Sequence, residues 1–68
     1  MNEDALNMEV RKFLKKVGVG AQREIEQLVH EGIRTGTLSG AERLTVRMTL
    51  EMPDLGFKHQ IDGMIKLG

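Results

Sequence analysis

The clearest pattern in the chain lies in its last third, where apolar and polar residues alternate from Leu44 to Met52 and again from Phe57 to Leu67. Such alternation is typical of β-strands that have one apolar and one polar face. The two stretches are separated by the segment Pro-Asp-Leu-Gly at positions 53–56, which has the residue order of a type I turn region. The pattern predicts a β-hairpin with strands at about 44–52 and 57–67.

A four-residue loop at 53–56 also fixes which residues of the two predicted strands face each other. The predicted pairs are Met52–Phe57, Leu50–His59, Met48–Ile61, Val46–Gly63 and Leu44–Ile65 on the apolar face, and Glu51–Lys58, Thr49–Gln60 and Arg47–Asp62 on the polar face. Both charged pairs are attractive, so the turn and the two faces favour the same register. The alternative is a second tight turn at Asp62-Gly63, which gives a three-stranded meander with short outer strands.

The first half of the chain carries two runs of apolar residues at helical spacing. The first run is Leu6, Val10, Phe13, Leu14 and Val17, and the second is Ala21, Ile25, Leu28, Val29 and Ile33. Asn2 can cap the first helix, and Gly18 lies between the runs as a residue that commonly ends a helix. We therefore predict helix A at about residues 3–17 and helix B at about residues 20–35.

Together these elements predict an α+β fold of the order ααββ, in which two helices cover the apolar face of the hairpin in a single domain at residues 1–68. Phe13, at the centre of the apolar stripe of helix A, is predicted to be buried between the helices and the sheet. A two-stranded sheet has two open edges. The predicted solution is a two-fold homodimer in which the outer strands, residues 57–67, pair antiparallel.

Composition narrows the possible partners and compartments. Ten Lys and Arg residues balance ten Asp and Glu residues, so no net charge attracts nucleic acid or a membrane nonspecifically. The chain has no long apolar run, and its beginning, MNEDALNMEV, lacks the basic and apolar regions of a signal peptide. We expect no membrane association, and we expect a cytoplasmic protein.

Residue types that carry catalysis or bind metals occur here without the spacing that such chemistry needs. His30 and His59 have no metal-ligand partner at helical or strand spacing, and the chain has no cysteine. Ser39 lies in a connector without the strand-to-helix context of a nucleophile elbow. The glycines of VGVG at 17–20 lack the further residues of a phosphate-binding loop. We predict no catalytic, metal or cofactor site and no enzymatic activity.

A local group of basic residues stands out on this neutral chain. Its members are Arg11, Lys12, Lys15, Lys16 and Arg23. The segment FLKKVGVGAQREIEQLVHEG at 13–32 also resembles the two opening helices of S4-type RNA-binding domains. The matching residues are Phe13, Leu14, Gly18, Val19, Arg23, Glu24, Leu28 and Gly32. In that family a small hydroxyl residue and two arginines meet RNA phosphate, and the corresponding residues here are Ala21, Gln22 and Arg23, so one basic contact carries over.

The whole chain resembles a small family of bacterial proteins of about this length that carry no assigned function. The similarity runs from MNEDALNMEVRKFLKKVGV through MTL to the DG of the last strand. It implies a small non-catalytic α+β domain. Our preferred hypothesis is a protein-interaction module that binds a protein partner, including a second copy of itself. The alternative is an RNA-binding module that uses the basic residues of helix A and the start of helix B.

Overall fold

The computed structural model describes all 68 residues, which divide into two compact units, Met1–Thr37 and Leu38–Gly68. The first unit is built on a single α-helix, α1, at Glu3–Arg34. The second is a β-hairpin and its connector. The chain is therefore α+β, as the sequence predicts. Because each unit is compact by itself, one domain across residues 1–68 stays a prediction.

The prediction of two helices is wrong, because α1 runs without a break through 32 residues. Gly18 and Gly20 both lie inside it, and neither adopts the positive φ that would end a helix. Glycine costs only about 1 kcal/mol relative to alanine inside a helix. No Ser, Thr, Asp or Asn lies between residues 17 and 23 to cap a new helix. Continuing the existing helix therefore costs less free energy than ending it and starting a second one. The two-helix arrangement implied by the S4 resemblance is absent for the same reason.

Both ends of α1 are capped by side chains. At the start, the Asn2 side chain accepts a hydrogen bond of 3.1 Å from the backbone N–H of Ala5, as predicted. At the end, the Thr35 hydroxyl donates to the backbone carbonyl of Glu31 over 3.0 Å. Gly36 follows with a φ of 80°, a left-handed conformation that suits glycine and ends the helix.

The second unit is an antiparallel hairpin of β1, Arg43–Met52, and β2, Phe57–Lys66. The predicted register is confirmed in every pair, including Met48 opposite Ile61. The meander alternative is wrong, because Asp62 and Gly63 lie within β2.

The turn of the hairpin is a short 3-10 helix at Pro53–Leu55. Gly56 ends it at a φ of 60° and donates a 3.1 Å backbone hydrogen bond to the carbonyl of Pro53. The fixed φ of proline suits the first position of such a turn. Glycine, which has no Cβ, adopts the left-handed conformation of the last position without strain. The turn therefore fixes the register locally.

No side chain of the chain is buried. The prediction that Phe13 is buried is wrong, since 56% of this residue is exposed. A single helix cannot bury its own apolar stripe, and a two-stranded hairpin cannot bury its own apolar face. Each unit therefore presents apolar surface that needs another layer for burial.

Candidate functional site

The apolar face of the hairpin is one open surface of the second unit. It carries Leu44, Val46, Met48, Leu50 and Met52 from β1, and Phe57, His59, Ile61, Gly63 and Ile65 from β2. Ile61 is 57% exposed and Phe57 is 48% exposed. The rings of Phe57 and His59 lie side by side, with centroids 6.3 Å apart. This face offers aromatic and flexible apolar groups to a partner.

A shallow depression of about 240 Å³ interrupts the hairpin near Gly63. Its lining comprises Val46, Met48, Ile61, Asp62, Gly63, Met64 and Ile65, so most of it belongs to β2. A side chain added at Gly63 would find no other atom within 4 Å of its Cβ. The missing side chain therefore leaves room for an apolar group from outside the hairpin.

The polar face of the hairpin carries an ordered ion pair. Nε of Arg47 lies 2.7 Å from Oδ1 of Asp62, and a second, longer contact of 3.4 Å joins Nη2 to Oδ2. The two residues face each other across the strands, as predicted. Glu51 faces Lys58 on the same side of the sheet. At these two pairs each strand contributes one positive and one negative residue, whereas the pair at the open end of the hairpin, Arg43 and Lys66, is of like charge.

Both outer edges of the hairpin have free backbone groups, and the hydrogen-bond pattern shows which ones. The N–H of Leu67 donates to the carbonyl of Glu42 over 3.0 Å, so the odd-numbered residues of β2 direct their backbone groups toward β1. The even-numbered residues Lys58, Gln60, Asp62 and Met64 direct theirs outward. The edge of β2 is thus a row of unpaired donors and acceptors.

The helix presents both an apolar stripe and the predicted basic residues. Leu14 and Leu28 of the stripe are 57% and 69% exposed. The basic residues Arg11, Lys12, Lys15, Lys16 and Arg23 are all exposed on this one helix. They span about 18 Å of helix axis at 1.5 Å per residue. The structure therefore places them on one rigid element, where the sequence predicted two.

The chain matches a known protein family over its whole length. A family model described as a family of unknown function, DUF6494, matches residues 1–68. The chain belongs to this family. The resemblance to a small family without an assigned function is thereby confirmed. No curated protein and no solved structure matches the chain significantly.

No group of three or more His, Cys, Asp or Glu side chains is placed to hold a metal ion. No helix of the chain combines the length and the apolar character needed to cross a membrane.

One carboxylate has a structural role that the sequence analysis missed. In the DUF6494 chain, Glu42 accepts hydrogen bonds from the backbone N–H groups of Ser39, at 2.8 Å, and Gly40, at 2.9 Å. These bonds, the one from Ser39 first, lower the pKa of Glu42 below the ordinary value for glutamate. The signal was the spacing Ser-x-x-Glu just before the hairpin. Glu42 thus orders the connector that leads into β1.

This pKa shift predicts how the connector responds to acid. A carboxyl group with a lowered pKa stabilises the folded connector above the ordinary glutamate pKa, and this stabilisation is lost as the pH falls through the lowered value. We expect the amide proton shifts of Ser39 and Gly40 to change together in that acidic range, as measured by NMR. Glu42→Gln should abolish the transition. Amide shifts that stay constant on acidification of the native chain would contradict this role.

Proposed function

We propose that the chain is a small non-enzymatic protein-interaction module that binds its partner through the open surfaces of the hairpin and the helix. The observation that carries the proposal is the absence of any buried side chain, while large apolar residues such as Leu28 and Ile61 remain exposed in both units. Large contiguous apolar patches on soluble proteins commonly mark interaction sites. A partner that covers these residues would supply the burial that each unit lacks.

The chemistry of the hairpin supports this proposal. Three of the five methionines, Met48, Met52 and Met64, lie on its strands. Methionine side chains are flexible and adapt to differently shaped partners. The outward backbone groups of β2 offer a second mode of binding, in which a strand of the partner extends the sheet. Both modes need the hairpin alone and no catalytic group.

A second candidate function is RNA binding, and one observation favours it. Between residues 10 and 23 the helix carries the five basic residues and no acidic one. A continuous helix holds such a segment straight, so that several cations can meet neighbouring phosphates. The acidic residues Glu24, Glu26 and Glu31 follow directly and confine the positive charge to the middle of α1. In this function the cytoplasmic protein would meet RNA phosphate through α1.

One pull-down separates the two functions. The tagged chain is incubated with cell extract, with and without ribonuclease, at low and high salt. We expect a protein partner that survives ribonuclease and depends weakly on salt, because apolar contact is not screened. An RNA complex would vanish with ribonuclease, and its log affinity would fall with log salt at a slope of about −3.5 for five phosphate contacts.

Two matched variants assign the surface that captures the partner. Ile61→Thr polarises the apolar face of the hairpin, and Lys12→Gln combined with Lys16→Gln removes charge from the helix without shortening it. We expect the hairpin variant to lose the partner and the helix variant to keep it. Capture that depends on the two lysines and on intact RNA would overturn the protein-interaction function in favour of RNA binding.

A further inference from the structure

We propose that two copies of the chain pair β2 against β2, antiparallel, with a two-fold axis at Gln60, to form a four-stranded sheet of order β1-β2-β2-β1. The inference rests on the proposed function, because it identifies the partner as a second copy and the surface as the edge of β2. It follows from the hydrogen-bond pattern of the edge, from the positions of its charges, and from the depression at Gly63.

The hairpin restricts the registers that such a dimer can take. Only pairing between the even-numbered residues of the two β2 strands joins outward backbone groups and keeps the apolar faces on the same side. An axis at Lys58 or at Asp62 would place identical charges opposite each other. An axis at His59 or at Ile61 would leave Lys58 opposite an uncharged residue. An axis at Gln60 places Lys58 of each copy opposite Asp62 of the other.

An axis at Met64 also gives opposite charges, because it places Asp62 opposite Lys66 of the second copy. Lys66 faces Arg43 of its own hairpin in either register, so this pair of cations does not distinguish the two axes. The register at Gln60 is favoured because it pairs a longer part of β2, residues 57–63, whereas an axis at Met64 pairs only residues 62–66.

The Gln60 register produces a row of alternating charge across all four strands. Within one copy, Arg47 binds Asp62 at 2.7 Å. Asp62 then faces Lys58 of the second copy, and that Lys58 faces Glu51 of its own hairpin. The row reads positive, negative, positive, negative, and the two-fold axis repeats it on the other side of Gln60. Each central charge lies between two opposite ones, so the ion pairs within each hairpin and those between copies reinforce each other.

The apolar face agrees with the same register. Phe57 of one copy lies opposite Gly63 of the other, where the missing side chain leaves the depression of about 240 Å³. An aromatic ring across from a glycine covers the exposed strand backbone. Phe57 is about half exposed in the single chain and so is available for this contact. One register therefore satisfies the backbone, the charges and the apolar side chains.

The outer edge of β1 is the competing site for a second copy. An axis at Thr49 would place Arg47 opposite Glu51, which also gives attractive pairs. In that register Thr45 would face Pro53, which has no N–H to donate. The edge of β1 also has no glycine to accept an aromatic ring. These two differences favour β2.

Proline substitution on each edge decides between the two sites. Gln60→Pro removes an outward N–H of β2 at the proposed axis, without removing a bond between β1 and β2. Thr49→Pro is the matched control, because Thr49 is the cross-strand partner of Gln60 and its N–H points outward from the other edge. Far-ultraviolet circular dichroism and cross-strand NMR contacts between Met48 and Ile61 verify that each variant keeps its hairpin.

Sedimentation equilibrium then measures the association of each chain. We expect the native chain and Thr49→Pro to dimerise alike, and Gln60→Pro to weaken the dimer by at least about tenfold. A native chain that stays monomeric at high micromolar concentration would overturn the inference, as would loss of the dimer in Thr49→Pro alone. A dimer that neither proline affects would also overturn it.

Two double charge swaps provide a second test. The first variant combines Glu51→Lys with Lys58→Glu, and the second combines Arg47→Asp with Asp62→Arg. Each variant keeps the attractive pairs within one hairpin, but in a dimer of identical copies residues 58 and 62, which face each other, then have the same charge. We expect each variant alone to be monomeric and an equimolar mixture to form a heterodimer, as measured by native mass spectrometry. Self-association of both variants, or a mixture without heterodimer, would contradict the charged row. Capture of a different protein by a monomeric chain would leave the interaction module standing while the dimer fails.

Discussion

Replacing Ala21 with proline is expected to destabilise α1 by about 3 kcal/mol or more. Ala21 lies in the interior of the helix Glu3–Arg34, where its N–H bonds to a carbonyl one turn earlier. Proline removes that bond, and its ring clashes with the preceding turn. Far-ultraviolet circular dichroism of Ala21→Pro should show loss of much of the helical signal, with a lower melting temperature than that of the native chain.

The position makes this substitution a sharp test of the single helix. If a second helix began after Gly20, Ala21 would be its first residue, where proline is well tolerated. Glu3→Pro is the matched control, since Glu3 is the first residue of α1 and its N–H has no partner within the helix. We expect Glu3→Pro to keep the helical signal. A fully helical Ala21→Pro chain would mean that the helix is interrupted at the glycines.

The second large effect is a gain in stability from Gly18→Ala combined with Gly20→Ala. Both glycines have helical backbone conformations, and an added Cβ at either position meets nothing within 4 Å. Alanine is favoured over glycine inside a helix by about 1 kcal/mol, so the pair should stabilise α1 by about 2 kcal/mol. Thermal unfolding followed by circular dichroism should show a higher melting temperature.

Gly56→Ala is the control of opposite sign. Gly56 has a φ of 60°, a left-handed conformation that costs other residues roughly 1–2 kcal/mol. We expect Gly56→Ala to weaken the hairpin, although alanine also has open space there. A destabilised Gly18→Ala chain would indicate that Gly18 needs its conformational freedom, and would restore a helix end at this position.

The hairpin could be predicted from the sequence because every determinant of its register is local. The turn of Pro53–Leu55 and Gly56 fixes the first pair, and period-two alternation fixes the face of every later residue. The charges of Arg47 and Asp62 point to the same register. A shift by one residue would have moved all apolar side chains to the wrong face. All of these signals favour the register that the hairpin has.

The single helix could not be predicted in the same way, because the position of Gly18 is compatible with two different structures. A glycine between two apolar runs is typical of a helix end, and it is also tolerated inside a long helix at a cost of about 1 kcal/mol. The deciding signal was the lack of a capping residue near Gly18. The two ends of α1 do have such residues. The side chain of Asn2 caps the start, and Gly36 adopts a left-handed conformation just after the end.

The apolar pattern of the sequence also predicted burial, of Phe13 above all, that the structure does not have. The helical spacing that includes Phe13 identifies which side of α1 is apolar, but it does not say whether anything covers that side. Likewise, the basic residues Arg11 and Arg23 could be found by charge alone, whereas their placement on one continuous helix required the structure. The edge of β2 required it too, because its outward groups follow from the hydrogen bond of Leu67.

The short connection between β1 and β2 has a consequence for the rate of folding. Among the paired residues of the two strands, Arg43 and Lys66 are the farthest apart in sequence. The backbone hydrogen bonds of α1 join residues that are one turn apart. Contacts of such small sequence separation form quickly, within about 1–10 μs for a hairpin and less for a helix. Meeting between two copies is instead bimolecular and slows with dilution. For the proposed dimer, protein concentration rather than chain topology is therefore expected to set the time of assembly.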